Sequence, residues 1–507
     1  MNCFDPLFAK KEISIRFVSV TICLLFLLVG STAVAQTYTE STIAILPPVT
    51  TSSLAFADLD GDLDHDLVIA GIDTTLNPIT KLFLNNGNGA FTEASAFFNS
   101  VDEAEVAFAD LDNDNDQDLI ITGETAGTLI TTIFLNDGLG NFQEKFNPSL
   151  VGTDAGGIAI ADIDGDGDLD LYIAGFSGFN VKSGNLYTND GTGTFTEVTG
   201  TGIDVLGSAA AFADIDGDND QDLLITGTTG TTLNNVSTKL YRNDGQGSFT
   251  SDTNSNLIGS SSGAIAFMDM DGDADLDLFI VGYASGAIPT STLYTNDGTG
   301  LFTQVAGTPF TGVAIGDIAI DDADDDGDID ILITGNAFPT AVTELYLNDG
   351  NGGFSLLSGT PFSGAVVSSV ALRDVDGDFD KDVIVSGLLP GAGPGGFLTK
   401  VYLKDGVGSN VNVKETLEKE AGHLSIFPNP SNRGRITIGW SGSEEKVNGF
   451  TIFDVSGRTL IASQTPRILQ GNRITVDTAS LKQGTYLVEV YHDGTVSYGR
   501  FVVANSN

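Results

Sequence analysis

Short apolar runs recur along the chain, each closed off by Asp, Asn or Gly. "LAFAD", "VAFAD", "IAIAD" and "AAFAD" lead into polar segments, and "DLVIAG", "DLIITG", "DLYIAG", "DLLITG", "DLFIVG", "DILITG" and "DVIVSG" lead out of them. Apolar runs of this length between turn formers predict β-strands. A second signature follows in six units: "LFLNNGNGAF", "IFLNDGLGNF", "LYTNDGTGTF", "LYRNDGQGSF", "LYTNDGTGLF" and "LYLNDGNGGF". Asn-Asp-Gly or Asn-Asn-Gly between strand-like runs marks a hairpin turn, because Asn and Gly tolerate positive φ.

The polar segment between the first two strands begins at Asp58, Asp110, Asp162, Asp214, Asp269, Asp322 and Asp374, at intervals of 52, 52, 52, 55, 53 and 52 residues. The chain therefore contains seven copies of one unit. Each unit reads as four short antiparallel strands: the lead-in, the run after the polar segment, the "LYxN" strand and a strand opening on "FTE" or its equivalent. A solenoid is the competing architecture, but four strands per roughly 50 residues fit the blades of a β-propeller better. The seventh unit ends in "VYLKDGVGSN" and has Asn410 where an aromatic is expected, while "YTE" at 38–40 stands one repeat before "FTE" at 91–93. The N-terminal segment is thus expected to supply the outer strand of the last blade, so that no open edge remains.

Each polar segment places aspartates on alternate positions, here numbered 1, 3, 5, 7 and 9. They are Asp58, Asp60, Asp62, Asp64 and Asp66; Asp110, Asp112, Asp114, Asp116 and Asp118; Asp162, Asp164, Asp166, Asp168 and Asp170; and Asp214, Asp216, Asp218, Asp220 and Asp222. The other three segments carry Asp269, Asp271, Asp273, Asp275 and Asp277; Asp322, Asp324, Asp326, Asp328 and Asp330; and Asp374, Asp376, Asp378, Asp380 and Asp382. Carboxylates at 1, 3 and 5 of a tight loop, a carbonyl near 7 and a carboxylate at 9 are the donor set with which a short peptide wraps Ca²⁺. The expectation is up to seven ions, one per blade. Mg²⁺ fits less well because it keeps its waters and demands stricter geometry. Zinc or copper would want His or Cys, and beyond residue 35 the chain has only His65, His423 and His492. An EF-hand is excluded, since its position 12 needs a Glu and here carries Ile69, Ile121, Ile173, Ile225, Ile280, Ile333 or Val385. The EF-hand glycine at position 6 is matched only by Gly167 and Gly327, which leaves identical loop geometry open. Acidic turns that bind nothing are the plainer reading. Seven in register, each crowding like charges, weigh against it.

Charge follows the same division. The formal charge of the 507-residue chain is -46, and residues 36–410 hold 57 acidic against 9 basic side chains while residues 411–507 hold 9 against 10. Nucleic acid is therefore not an expected partner, and the 41% hydrophobic content speaks against disorder. Residues 1–35 read as a signal peptide, with Lys10, Lys11 and Arg16 before the apolar run "FVSVTICLLFLLVG" and cleavage in "AVAQ" after Ala35. A membrane anchor is the alternative for this run, which is short for a span. Cys3 and Cys23 both lie there, so the exported chain is left without disulfides, and metal is a candidate staple in their place.

The units resemble FG-GAP or VCBS repeats, the calcium-binding blades of integrin α-subunit propellers, over residues 38–408. The resemblance implies Ca²⁺ held by the carboxylates at 1, 3, 5 and 9 with the carbonyl at 7. In the third unit these are Asp162, Asp164, Asp166 and Asp170 with the carbonyl of Asp168. After a polar linker at 411–423, residues 424–507 read as a small β-sandwich. Phe427-Pro428-Asn429-Pro430, "FDVSGR" and "GTYLVEV", in that order, resemble the type IX secretion sorting domain of Bacteroidetes. This implies Sec export followed by type IX secretion to the surface or outside, with that machinery as a partner. The expected fold is all-β: a seven-bladed propeller at 36–410 followed by the sandwich, without a membrane span in the mature chain, as a monomer.

Nucleophile motifs, zinc signatures and phosphate loops are missing from the sequence, the Gly-x-Gly pieces sit in hairpin turns, and His65 reads as an exposed turn residue. The favoured function is a non-enzymatic adhesion or recognition protein for a glycan or protein ligand. The alternative is a polysaccharide lyase or hydrolase with its site in the propeller loops, and a scaffold that only displays something else is a third option. Units of nearly equal length, with enlargement only near 284–290 and 388–397, favour binding.

Overall fold

The computed structural model describes residues 37–405, apart from 63, 155, 179–180, 205–206, 231–233, 379 and 393–395. In the C-terminal region it describes 424–427, 435–440, 447–454, 459–463, 468–469, 473–478, 481, 484–492 and 495–503. Residues 1–35, where a signal peptide is expected, and residues 411–423, where a linker is expected, lie outside the described residues. All regular elements among the described residues are strands.

The chain opens with β1 (Thr37–Glu40), and the first unit follows as β2 (Val49–Ala57), β3 (Asp66–Asp73), β4 (Pro78–Asn85) and β5 (Phe91–Glu93). The second is β6 (Asp102–Ala109), β7 (Asp118–Thr125), β8 (Thr128–Asn136) and β9 (Phe142–Lys145), and the third β10 (Ile158–Ala161), β11 (Asp170–Gly178), β12 (Val181–Asn189) and β13 (Phe195–Val198). The fourth is β14 (Gly207–Ala213), β15 (Asp222–Thr228), β16 (Val236–Arg242) and β17 (Thr250–Asp252), and the fifth β18 (Ile265–Met268), β19 (Asp277–Ala284), β20 (Ile288–Thr295) and β21 (Thr303–Gln304). The sixth is β22 (Ile318–Asp321), β23 (Asp330–Asn336), β24 (Ala341–Asn348) and β25 (Phe354–Leu356), and the last β26 (Val366–Arg373), β27 (Asp382–Leu388) and β28 (Phe397–Asp405).

Within each unit successive strands pair antiparallel. The last unit takes its outer strand from the other end of the described chain: β1 pairs β28, with Thr37 opposite Asp405 and Tyr38 opposite Lys404. The expected seam is present.

The second strand of every unit is buried on both faces, as in "DLYIAG" at 170–175, which explains its unbroken apolar run. Side chains from neighbouring sheets interlock between them. Ala57, Val68 and Leu82 of the first unit pack with Val106, Leu119 and Phe134 of the second. Val49, Leu67 and Ile69 of the first pack with Val375, Ile384 and Val401 of the last, which joins the two ends of the series. In the C-terminal region, β29 (Leu424–Phe427), β30 (Arg435–Trp440), β31 (Val447–Asp454), β32 (Thr459–Ser463), β33 (Ile468–Leu469), β34 (Arg473–Asp477), β35 (Gly484–His492) and β36 (Thr495–Val503) form two four-stranded sheets. Ile436, Ile438 and Ile474 of one sheet share a core with Ile452, Val488 and Val490 of the other, as a sandwich requires.

Candidate metal centres and the central channel

Each aspartate loop is curled by its own side chains. In the third unit Asp162 Oδ1 accepts the N–H of Gly165 at 2.8 Å and Oδ2 that of Gly167 at 3.0 Å, while Asp166 accepts the N–H of Asp168 at 2.9 Å. Alternation in the sequence thus becomes a set of short-range turns that face carboxylates inward. Position 6 needs positive φ, and Asn115, Asn219 and Ala274 adopt it at 71°, 70° and 75° without being glycine. The missing glycines therefore leave these three loops in one conformation; Leu63 and Phe379 lie outside the described residues.

Position 9 is the most buried member, with Asp66, Asp118, Asp170, Asp222, Asp277, Asp330 and Asp382 at 3% exposure or less. Its carboxylate ties the loop to the third strand. In the third unit Oδ1 of Asp170 accepts the N–H of Asn189 at 2.8 Å and Oδ2 that of Ile163 at 3.0 Å. Asn189 in turn donates its side-chain amide to the carbonyl of Leu111, inside the loop of the preceding unit, at 2.8 Å. Asn85, Asn136, Asn243, Asn296 and Asn348 repeat that donation to Val375, Leu59, Ile163, Ile215 and Met270. The two sequence signatures are therefore parts of one device that holds neighbouring sheets together. In the last unit Lys404 stands in the Asn position and pairs with Asp325 of the sixth loop at 2.8 Å.

Aspartates at 1, 3 and 5 converge in the first, fourth and fifth loops, and those at 1, 3 and 9 in the second and third, each set with oxygens within 4.8 Å of one another. Position 7 is placed differently. Its carboxylate lies against the glycine of the hairpin turn, so that a Cβ on Gly191 would stand 2.7 Å from Asp168 Oδ1, and the same holds for Gly138 and Asp116 at 2.6 Å. That side chain is turned toward the turn, and its backbone carbonyl is what position 7 has to offer an ion.

The donor set fits a hard divalent cation. Oδ1 of the position 3 carboxylates Asp112, Asp164, Asp216, Asp271 and Asp324 is buried and has no hydrogen-bond partner. An acceptor of this kind is costly to bury unless something positive meets it. Burial and then the charge at position 5 push Asp112, Asp164 and Asp271 upward, and Asp324 to about 6. Burial above all raises Asp118, Asp170, Asp222 and Asp277 to about 6, Asp66 and Asp330 to about 7 and Asp382 to about 8. A carboxylate raised in the folded state contributes stability below its unfolded pKa and loses it as pH rises through the folded one. Protein freed of divalent ions is accordingly expected to melt at a lower temperature at pH 8 than at pH 5.5. Equal melting temperatures, or a higher one at pH 8, would contradict that origin.

The inner strands enclose a cavity of about 670 Å³ to which all seven units contribute. Five residues before each loop, one residue per unit lines it: Ser53, Glu105, Gly157, Ala209, Ala264, Asp317 and Ser369. The two acids of this layer were not singled out from sequence. The signal was available, as the only charges in an otherwise small-residue column. Asp317 is spoken for: Oδ1 accepts the N–H of Ile318 at 2.8 Å, and Oδ2 the hydroxyl of Ser369 at 2.9 Å and the N–H of Val370 at 3.1 Å. Burial and then the charge of Asp317 push Glu105 up to about 8. At one level of the channel Thr51, Glu103, Ser262, Ile315 and Val367 all have φ between 46° and 55°. Such values are strained for β-branched residues, and hydrogen bonds between units hold them, Ile315 N–H to Ser262 O at 2.7 Å and Val367 N–H to Ile315 O at 2.9 Å. His65 is exposed.

Residues 58–121, 110–173 and 322–385 match the family model described as FG-GAP-like repeat, and residues 425–504 match the secretion system C-terminal sorting domain. No curated protein matches the chain. Among solved structures, Penicillium chrysogenum alpha-L-arabinanase complexed with arabinobiose is similar at 11% identity, over 73% of this chain and 97% of that one, with a TM-score of 0.37. Trypanosoma rangeli sialidase is similar at 11% identity over 92% and 86% with a TM-score of 0.34, and the Pseudomonas aeruginosa PilY1 C-terminal domain at 12% over 80% and 91% with a TM-score of 0.31. The sorting domain indicates type IX secretion to the cell surface or outside. Among the described residues no helix is long and apolar enough to cross a membrane.

Proposed function

We propose, for a chain that carries FG-GAP-like repeats and a secretion system C-terminal sorting domain, that it is a seven-bladed propeller stapled by Ca²⁺ that recognises a glycan or protein ligand without transforming it. The observation that carries the calcium reading is the partnerless buried oxygen at position 3 in the loops of Asp112, Asp164, Asp271 and Asp324. In each loop positions 1, 3, 5 and 9 would hold the ion through carboxylates and position 7 through its carbonyl. Ca²⁺ bound there would offset two of the loop's negative charges, and the chain's own residues fix the loop against the third strand and the next sheet.

The acids of the loops are thereby committed to the scaffold, and Asp317 in the channel is committed to three donors. What is left for a ligand is a concave, polar lumen with walls of Gly, Ala and Ser. This supports recognition over catalysis. The polysaccharide-degrading alternative has one observation in its favour: Glu105, raised to about 8 beside an open cavity, is in the state a general acid needs at neutral pH. Screening the calcium-loaded protein on a glycan array and on a panel of polysaccharides separates the two. Binding without product is the expected result, and a reproducible cleavage product abolished in Glu105→Gln would establish the alternative.

A further inference from the structure

We propose that Arg242 is the resident cation of the fourth aspartate loop, and that this loop takes no Ca²⁺ under conditions that fill its neighbours. The inference rests on the calcium reading above and narrows it.

Arg242 ends β16, one residue before the Asn that latches onto the preceding sheet. The same place in the other units is held by Leu84, Leu135, Thr188, Thr295, Leu347 and Leu403, none of which carries charge. Its guanidinium reaches into the loop. Nη1 lies 3.0 Å from Oδ2 of Asp216 at position 3 and 3.1 Å from Oδ2 of Asp222 at position 9. Nε lies 3.1 Å from Asp252 Oδ2, and Nη2 donates to the carbonyl of Thr299 in the next unit at 3.1 Å. Every arm of the planar fork is used, which fixes the group in place.

The oxygen taken at position 9 matters most. In the third and fifth units the equivalent Oδ2 of Asp170 and Asp277 faces the loop and accepts the N–H of position 2. In the fourth it faces a permanent positive charge. Asp222 is 3% exposed and Arg242 only 21%, so this pair is screened little by water. Asp214, Asp216 and Asp218 still converge, but a Ca²⁺ ion takes six to eight oxygens. It would have to enter beside a guanidinium that already holds one oxygen from each of two ligands. Bringing +2 next to +1 at this range is unfavourable, and expelling Arg242 breaks four hydrogen bonds.

The test counts ions bound to the stripped protein by equilibrium dialysis against Ca²⁺. Asp218→Ala, at position 5 of the fourth loop, is expected to leave the count unchanged, whereas Asp166→Ala, at position 5 of the third, lowers it by one. Arg242→Leu, which installs the residue of four sister units, is expected to raise the count by one, and Arg242→Thr repeats the test if the leucine variant fails to fold. A loss of one ion in Asp218→Ala, or a folded Arg242 variant with the wild-type count, overturns this inference alone. A wild-type chain that binds no Ca²⁺ overturns the calcium reading and this inference with it.

Discussion

Stripping the exported protein with EDTA is expected to lower its melting temperature by on the order of 10 °C or more, and Ca²⁺ in excess restores it. The size follows from linkage: an ion present at a hundred times its dissociation constant stabilises the form that binds it by about 2.7 kcal/mol, and several independent sites act on one structure. Removing the ions also returns these loops to clusters of acids in which Asp112, Asp164, Asp271 and Asp324 each carry a buried oxygen with nothing to meet. Mg²⁺ at the same concentration is expected to restore less, since it gives up its waters reluctantly. A melting temperature indifferent to EDTA would falsify the calcium reading.

The second large effect is expected from Asp170→Ala. Its carboxylate receives the N–H groups of Ile163 and Asn189 in a site with 1% exposure, and truncation leaves both donors buried and unpaired. Each orphaned donor costs about 1–3 kcal/mol, so a loss of roughly 2–6 kcal/mol is expected. This loss persists in EDTA, because it does not depend on an ion. Asp168→Ala, which keeps the backbone carbonyl and removes only the side chain beside Gly191, is expected to cost about 1 kcal/mol or less. Denaturant melts of both variants, with and without Ca²⁺, check the contrast; equal losses would mean that position 9 has no special structural role.

Much of the scaffold was legible because its rules are local. The strands, the hairpin turns and the loops are each specified within about ten residues by apolar runs between turn formers, by Asn-Gly chemistry and by aspartates that bond the backbone two to five positions away. Even the seam was readable, since "YTE" at 38–40 stands where the repeat demands an outer strand. What escaped notice depends on neighbours far along the chain. The amide of Asn189 finds its acceptor at Leu111, 78 residues earlier, and a turn signature alone says nothing of that. Glu105 and Asp317 face the same lumen only because the inner strands converge on it, and Arg242 acquires a role only once the third strand is laid beside the loop of its own unit. The positive φ of Thr51, Ile315 and Val367 runs against the preference of those side chains, and the surrounding sheets impose it.

The pairing of β1 with β28 also bears on how the molecule is made. Lys400 bonds Glu40 across a separation of 360 residues, and Thr37 lies opposite Asp405. The first strand to leave a ribosome or a translocon must wait for the last one, so ring closure ends folding and cannot begin it. Until then β28 is an unpaired edge, open to capture by another chain. A peptide spanning residues 37–40 added during refolding would compete for that edge, which makes the final step of assembly the one most exposed to interference.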